Sequence, residues 1–166
     1  MRKRKTTYAL LGPLPHAIVY VGAPLAVSRL GRHHGWENGR PGAANVLGLV
    51  PLAAGAAMLA WAIVSHYQTA PDEAKVTVVP TYLVKGGAYA VTRNPMYVSG
   101  AAMHAGWAVF LGSVPVAATC AVYIAGMASA GVPFEEGLLH QKFGASYDAY
   151  RTQVPRWLGF PGTKSS

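Results

Sequence analysis

The sequence predicts an all-α integral membrane protein of about four transmembrane helices with a C-terminal amphipathic helix. Three observations predict it. Charged residues make up 12% of the chain, about half of the ~25% usual in soluble domains. Hydrophobic residues make up 52%, and glycine and alanine, which let helices approach closely in lipid, are abundant. Apolar runs near the ~20 residues needed to cross the hydrocarbon core recur along the chain, divided by short polar stretches.

A chain of 166 residues suits one domain. Residues 1–67 carry two spans, residues 68–160 form a core with a helical hairpin and a C-terminal helix, and residues 161–166 are a tail. The net charge of +8 fits membrane orientation and anionic headgroups, not nucleic acid, because the bases cluster at helix ends rather than along one face. The single cysteine, Cys120, lies in an apolar run and reads as a small buried hydrophobe.

The first span covers about residues 9–30. Its prolines (Pro13, Pro15 and Pro24) predict a kinked or partly broken helix. MRKRK before it resembles the head of a signal peptide, but no small-residue cleavage site follows, so it reads as a basic anchor on a retained span. The second span, about residues 43–66, is the cleanest. The stretch 76–80 is short and β-branched; without a sheet partner it reads as an extended segment. Gly86-Gly87 makes a turn, and Pro95 suits the first turn of a third helix over about 95–111, since its missing N–H would be orphaned there anyway. Gly112–Pro115 turns into a fourth helix over about 115–130, giving a helical hairpin. Residues 134–150 place Leu138, Leu139, Phe143, Tyr147 and Tyr150 at spacings of three and four, the pattern of an amphipathic helix leaving the bilayer or lying on it.

With the N terminus inside, 11 of the 14 Lys and Arg residues fall on the cytoplasmic side and Arg29, Arg32 and Arg40 fall outside. The bias places both termini in the cytoplasm, as in a bacterial-type inner membrane. His33 and His34 on the outer loop are either a metal pair or part of a solvated loop, and no metal is expected.

Two polar islands hold half of the acids and amides and four of the nine tyrosines: KGGAYAVTRNPMYVSG from Lys85 and VPFEEGLLHQKFGASYDAYRTQVPRW from Val132. Gly87 lets backbone approach a ligand or take positive φ. Asn94 stands at an N-cap position, and the helix end behind it, with Arg93, favours an anionic group. Glu135 and Glu136 either complement the helix dipole or serve a ligand, since acids at the end of a membrane span are costly unless used. Tyr97, Tyr147 and Tyr150 line a slot or act as interfacial aromatics. A ligand carrying both a carboxylate and a cationic group would satisfy both islands.

The run G-x-Y-x-x-x-R-N-P-M-Y-x-x-G, then E-E, then F-G-x-x-Y-x-x-Y-x-x-x-V-P-R-W, resembles the isoprenylcysteine carboxyl methyltransferase and phospholipid methyltransferase superfamily of integral membrane enzymes. The match covers about residues 81–157. The resemblance implies an S-adenosylmethionine pocket on the cytoplasmic side, closed by the last two spans, the loop before them and the C-terminal segment, with a lipophilic acceptor arriving from the bilayer. It places cofactor contacts on Thr81, Tyr82, Leu83 and Val84, on Gly87 and Tyr89, on Arg93, Asn94, Pro95, Met96 and Tyr97, and on Glu135. Asn94 stands where many relatives carry His. The prenylcysteine enzymes carry an arginine four residues before the acid, where this chain has Gly131. That departure disfavours prenylcysteine and favours a lipid or small hydrophobic amine, thiol or carboxylate.

Methyl transfer from a sulfonium asks for alignment and exclusion of water. His104 and Glu136 are the catalytic candidates if a base is used. Two other readings fit the chain: a non-catalytic four-helix scaffold or sensor, and a nicotinamide-dependent membrane reductase. The second span, with Gly48 and Gly55, offers a close-packing face, either internal or between copies, and the oligomeric state is not fixed by it.

Overall fold

The computed structural model describes residues 17–69 and 82–159. The basic anchor, the first part of the expected first span, the extended stretch at 76–80, Thr81 and the tail lie outside the described residues. The described chain is mostly helical. Helix α1 is Ala23–Ser28, α2 Ala43–Val46, α3 Leu49–Thr69, α4 Pro95–Leu111, α5 Val114–Gly126, α6 Val132–Phe143 and α7 Ala145–Gln153. Among the described residues two stretches are long and apolar enough to cross a membrane: Ala43–Thr69, of 27 residues, and Val114–Phe143, of 30. Helix α4 spans 17 residues with the boundaries the sequence predicts.

Two prolines inside apolar helices are absorbed in the same way. A π-turn over Ile18–Gly22 precedes Pro24, and the Ala23 N–H reaches back five residues to the Ile18 carbonyl. A second π-turn over Met127–Gly131 precedes Pro133, and the Val132 N–H reaches the Met127 carbonyl. One widened turn shifts the ladder just before the residue that has no N–H to give, so the helix continues instead of breaking. The fourth helix therefore does not stop near Ala130 as expected; it runs on through Pro133 to Phe143.

The expected single amphipathic helix over 134–150 is two helices. Gly144 breaks it with φ 49° and ψ −125°, a conformation open to glycine. The apolar positions read from the spacing still act together. Tyr147, Tyr150 and Val154 form a buried cluster with Leu83, Leu139 and Phe143 packed against it, while Leu138 is exposed. The apolar side of α7 is covered by protein, whereas α6 keeps Phe134 and Leu138 exposed.

The packing divides into two compact units. The first holds the chain up to Ala53 with Ala102–Val122; the second holds Ala54–Ala101 and the chain from Tyr123.

In the first unit, Gly48 and Gly106 face each other. A Cβ on Gly48 would lie 2.5 Å from the Phe110 nitrogen and 2.6 Å from the Gly106 oxygen; one on Gly106 would lie 2.7 Å from the Leu52 nitrogen. Gly48 is thus an internal crossing point. A small hairpin, β1 Trp36–Glu37 paired antiparallel with β2 Arg40–Pro41, turns at Asn38-Gly39, both at positive φ. This is the geometry of a type I′ turn, and the Asn-Gly pair in the sequence was its signal. The loop caps the end of α4. Trp36 Nε1 donates to the Phe110 carbonyl at 2.8 Å, Asn45 Nδ2 to the Val109 and His34 carbonyls at 2.9 and 3.0 Å, and the His34 N–H to the Gly112 carbonyl at 2.8 Å. The Trp36 and Asn45 donors serve carbonyls in the last turn of α4, where a helix end runs short of intrahelical donors. His33 meets the Trp36 ring edge-on.

Candidate active site

In the second unit the glycine turn is pressed against α3. Gly87 takes φ 60°, and a Cβ there would collide with the Ser65 side chain. Ser65 Oγ donates to the Trp61 carbonyl and accepts the Ala88 N–H at 3.0 Å. Both a left-handed backbone and a close approach therefore call for glycine at position 87. One turn of 3₁₀-helix, Gly87–Ala90, carries Tyr89. The Tyr150 hydroxyl on α7 donates to the Tyr89 carbonyl at 2.6 Å, and Lys85 Nζ donates to Ser146 at the start of α7.

The Arg-Asn-Pro step grips the segment after α7. The Arg93 N–H donates to the Pro155 carbonyl at 3.0 Å. Thr92 Oγ1 and Asn94 Nδ2 both donate to the Arg156 carbonyl, at 3.1 and 3.0 Å. Asn94 holds the N-cap position of α4, where its carbonyl accepts the Tyr97 and Val98 N–H groups, but its amide nitrogen points to the strap. Arg93 Nη1 also donates to the Arg151 carbonyl at 3.3 Å.

The two adjacent acids of α6 part company here. Glu136 lies between two guanidinium groups: Arg93 Nη2 at 3.2 Å from Oε1, and Arg156 with Nη2 at 2.7 Å from Oε2 and Nε at 3.3 Å from Oε1. The Arg93 and Glu136 side chains are 9% and 12% exposed, so this pair is largely removed from water. Glu135 instead accepts the Tyr97 hydroxyl at 2.7 Å, and among the described residues no cation pairs with it.

Three tyrosines around these acids stay protonated far above neutral pH. Burial pushes the Tyr89 phenol up to about 12, and the charge of Glu135 adds to the shift. Burial likewise raises Tyr147 to about 12, with Glu136 adding and the nearby arginines opposing. Tyr150 is raised as well, by burial first. Two buried polar atoms of the cluster, Arg93 Nε and the Tyr147 hydroxyl, have no hydrogen-bond partner among the described residues.

Of the residues singled out from sequence, Tyr89, Arg93, Asn94, Tyr97, Glu135 and Glu136 are joined in this network, directly or through Tyr150 and Arg156. Val84 is buried with Tyr89 packed against it, and Leu83 joins the tyrosine cluster of α7, so both are core positions. Tyr82 is exposed, and Met96 and the buried Pro95 open α4. His104 belongs to the first unit, buried and edge-on to the Tyr20 ring. Sequence reasoning missed Ser65, Thr92 and the ion pairing of Arg156. The basic residue inside V-P-R-W was its only signal. Among the described residues no cluster of His, Cys, Asp and Glu could hold a metal ion.

The model of the phospholipid methyltransferase family matches residues 45–146. No curated protein and no solved structure gives a significant match. The matched stretch is more than half of the chain and contains the glycine turn, the Arg-Asn-Pro step and both acids of α6. With its two long apolar helices, the chain belongs to the phospholipid methyltransferase family.

Proposed function

We propose that this protein transfers a methyl group from S-adenosylmethionine to a lipophilic acceptor within the membrane. The observation that carries the reading is Glu135. It is an acid in an arginine-rich cluster, yet its described partner is a tyrosine hydroxyl and not a guanidinium. Such a carboxylate keeps capacity for a cationic group. The residues present fit the cofactor. Glu135 would take its ammonium, and Tyr89 supplies an aromatic face within the field of that acid. The Arg93 Nε and Tyr147 hydroxyl, without a hydrogen-bond partner among the described residues, are donors of the kind a carboxylate needs.

The cofactor supplies, when bound, an electrophilic methyl on a sulfonium. The chain's part is to orient and to keep water out. The buried tyrosines remain neutral donors across the physiological range, so they add no negative charge beside the two acids. We assign Glu136 no proton transfer, because both its oxygens accept from arginines. An amine acceptor that arrives neutral loses its proton to water after transfer and needs no protein base.

Gly131 closes the second π-turn, and the nearest side chain to its missing Cβ is the Met127 thioether. Among the described residues no cation lies within 4 Å of that point to hold a substrate carboxylate, which favours a lipid or small hydrophobic acceptor over prenylcysteine. The excess of Lys and Arg on one side supports a bacterial-type inner membrane with both termini cytoplasmic.

Calorimetric titration of the detergent-purified protein with S-adenosylhomocysteine, with NADPH as control, tests the reading. Binding of the first alone is expected. Glu135→Ala and Tyr89→Ala should each weaken it; unchanged affinity in both folded variants removes the site, and no binding by the wild type removes the cofactor.

A further inference from the structure

We propose that Glu136, clasped between Arg93 and Arg156, is a positioning residue that holds the C-terminal strap closed and fixes the direction in which Glu135 faces. The inference rests on the cofactor reading above and adds to it a role for the three residues around the clasp.

Three chain segments meet at this one carboxylate. Arg93 comes from the step before α4, Glu136 from α6, and Arg156 from the strap after α7. Arg93 touches all three C-terminal pieces: Glu136 through Nη2, the α7 carbonyl of Arg151 through Nη1, and the strap carbonyl of Pro155 through its backbone N–H. Because Arg93 and Glu136 are nearly dry, loss of the Glu136 charge leaves the Arg93 guanidinium buried without a counter-charge among the described residues. Arg156 is more exposed but engages Glu136 through two nitrogens in the fork geometry that only arginine offers.

Adjacent residues on an α-helix point about 100° apart, so pinning Glu136 sets the rotation of α6 and with it the heading of Glu135. The Tyr97 hydroxyl meets Glu135 on that heading. The clasp also resolves an electrostatic conflict. Two neighbouring carboxylates repel and would compete for one cation; two arginines neutralise Glu136 and leave Glu135 as the single address. A closed strap and a correctly aimed acid are then one event, so ligand binding and strap closure support each other.

The test uses the full chain in detergent. Hydrogen exchange is followed in the peptide that carries Arg93, whose amide is bonded to the strap at Pro155, and S-adenosylhomocysteine affinity is measured in parallel. Glu136→Gln and Arg156→Met are expected to speed exchange there and to weaken binding by about tenfold, and Arg156→Lys, which keeps the charge but not the fork, should fall between Arg156→Met and wild type on both readouts. Exchange in α5 should not change in any variant. Unaltered exchange at Arg93 in both disruptive variants overturns the clasp. Faster exchange with unaltered affinity overturns the positioning role. If the wild type binds no S-adenosylhomocysteine, the cofactor reading falls, and Arg93 exchange still decides whether the clasp holds the strap.

Discussion

Glu135 and Glu136 are neighbours in the chain but keep different company: the Tyr97 hydroxyl reaches Glu135 at 2.7 Å, while the Arg156 guanidinium reaches Glu136 at the same distance. A pair of acids at the end of an apolar helix looks redundant in sequence. In the fold one is spent on charge neutralisation and one is left with a neutral donor. The two therefore respond differently to substitution.

Glu135→Gln keeps an acceptor for Tyr97 and removes the charge. Melting should be nearly unchanged, while S-adenosylhomocysteine affinity falls by about tenfold or more. Tyr97→Phe should show the opposite balance. It leaves a half-buried carboxylate without its donor, costing about 1–3 kcal/mol of stability, and changes affinity less. Thermal unfolding and calorimetry on the same two variants check this; equal effects on both readouts would show that the two residues do not divide the work.

Gly87→Ala should destabilise through two separable causes. Alanine at φ 60° costs about 1–2 kcal/mol, and its Cβ collides with the Ser65 side chain. The double variant Ser65→Gly, Gly87→Ala relieves the collision and keeps the backbone cost, though it also removes the acceptor of the Ala88 N–H. Its melting temperature should lie above the value expected from adding the two single effects. Simple additivity would mean that Ser65 moves aside and the turn is not tightly packed.

Much of the secondary structure was legible because its signals are local. Pro95 starts α4, Gly112 ends it at positive φ, and the apolar run from Ala43 gives a span. The glycine turn was legible for the same reason, although its partner, Ser65, was not. Pro133 misled because the rule that proline breaks a helix assumes a regular ladder, and the π-turn before it removes that assumption. Gly144 was visible within an amphipathic spacing, but spacing alone does not say that the chain changes direction there. The clasp was illegible for another reason. Which acid takes Arg156 depends on how far α6 is rotated, and the partners lie 20 positions apart in the chain. Charge counting finds the participants and not the pairing.

Gly48→Val should be among the most damaging single changes in the first unit. The added carbon meets the backbone of α4 at the Phe110 nitrogen and the Gly106 oxygen, neither of which can rotate away. Overpacking of this kind costs about 1–3 kcal/mol or more. Gly39→Ala in the hairpin turn adds a Cβ that meets nothing within 4 Å and should cost only the penalty of its φ of 75°. Detergent melting curves should rank Gly48→Val well below Gly39→Ala; the reverse order would mean that the helices at Gly48 can separate without loss.

The tyrosine cluster predicts how stability depends on alkaline pH. A phenol raised from 10 to about 12 by burial keeps its proton in the folded chain after an unfolded chain would have lost it. Between those values the folded state binds more protons, so stability must fall as pH rises. Below pH 10 both states are protonated and the full contribution is present; it disappears by about pH 12. Tyr89 and Tyr147 share this window, and Tyr150 is shifted in the same direction. Spectrophotometric titration should show the ionisation of Tyr89 and Tyr147 delayed beyond pH 10 until the protein unfolds. Tyr147→Phe should remove part of the delayed absorbance. It should also leave stability at pH 7 little changed or raised, because the hydroxyl it deletes is buried without a partner among the described residues. A marked loss of stability at pH 7 would show that this hydroxyl does have a partner, and that the orphaned donor beside Arg93 is not available to a ligand.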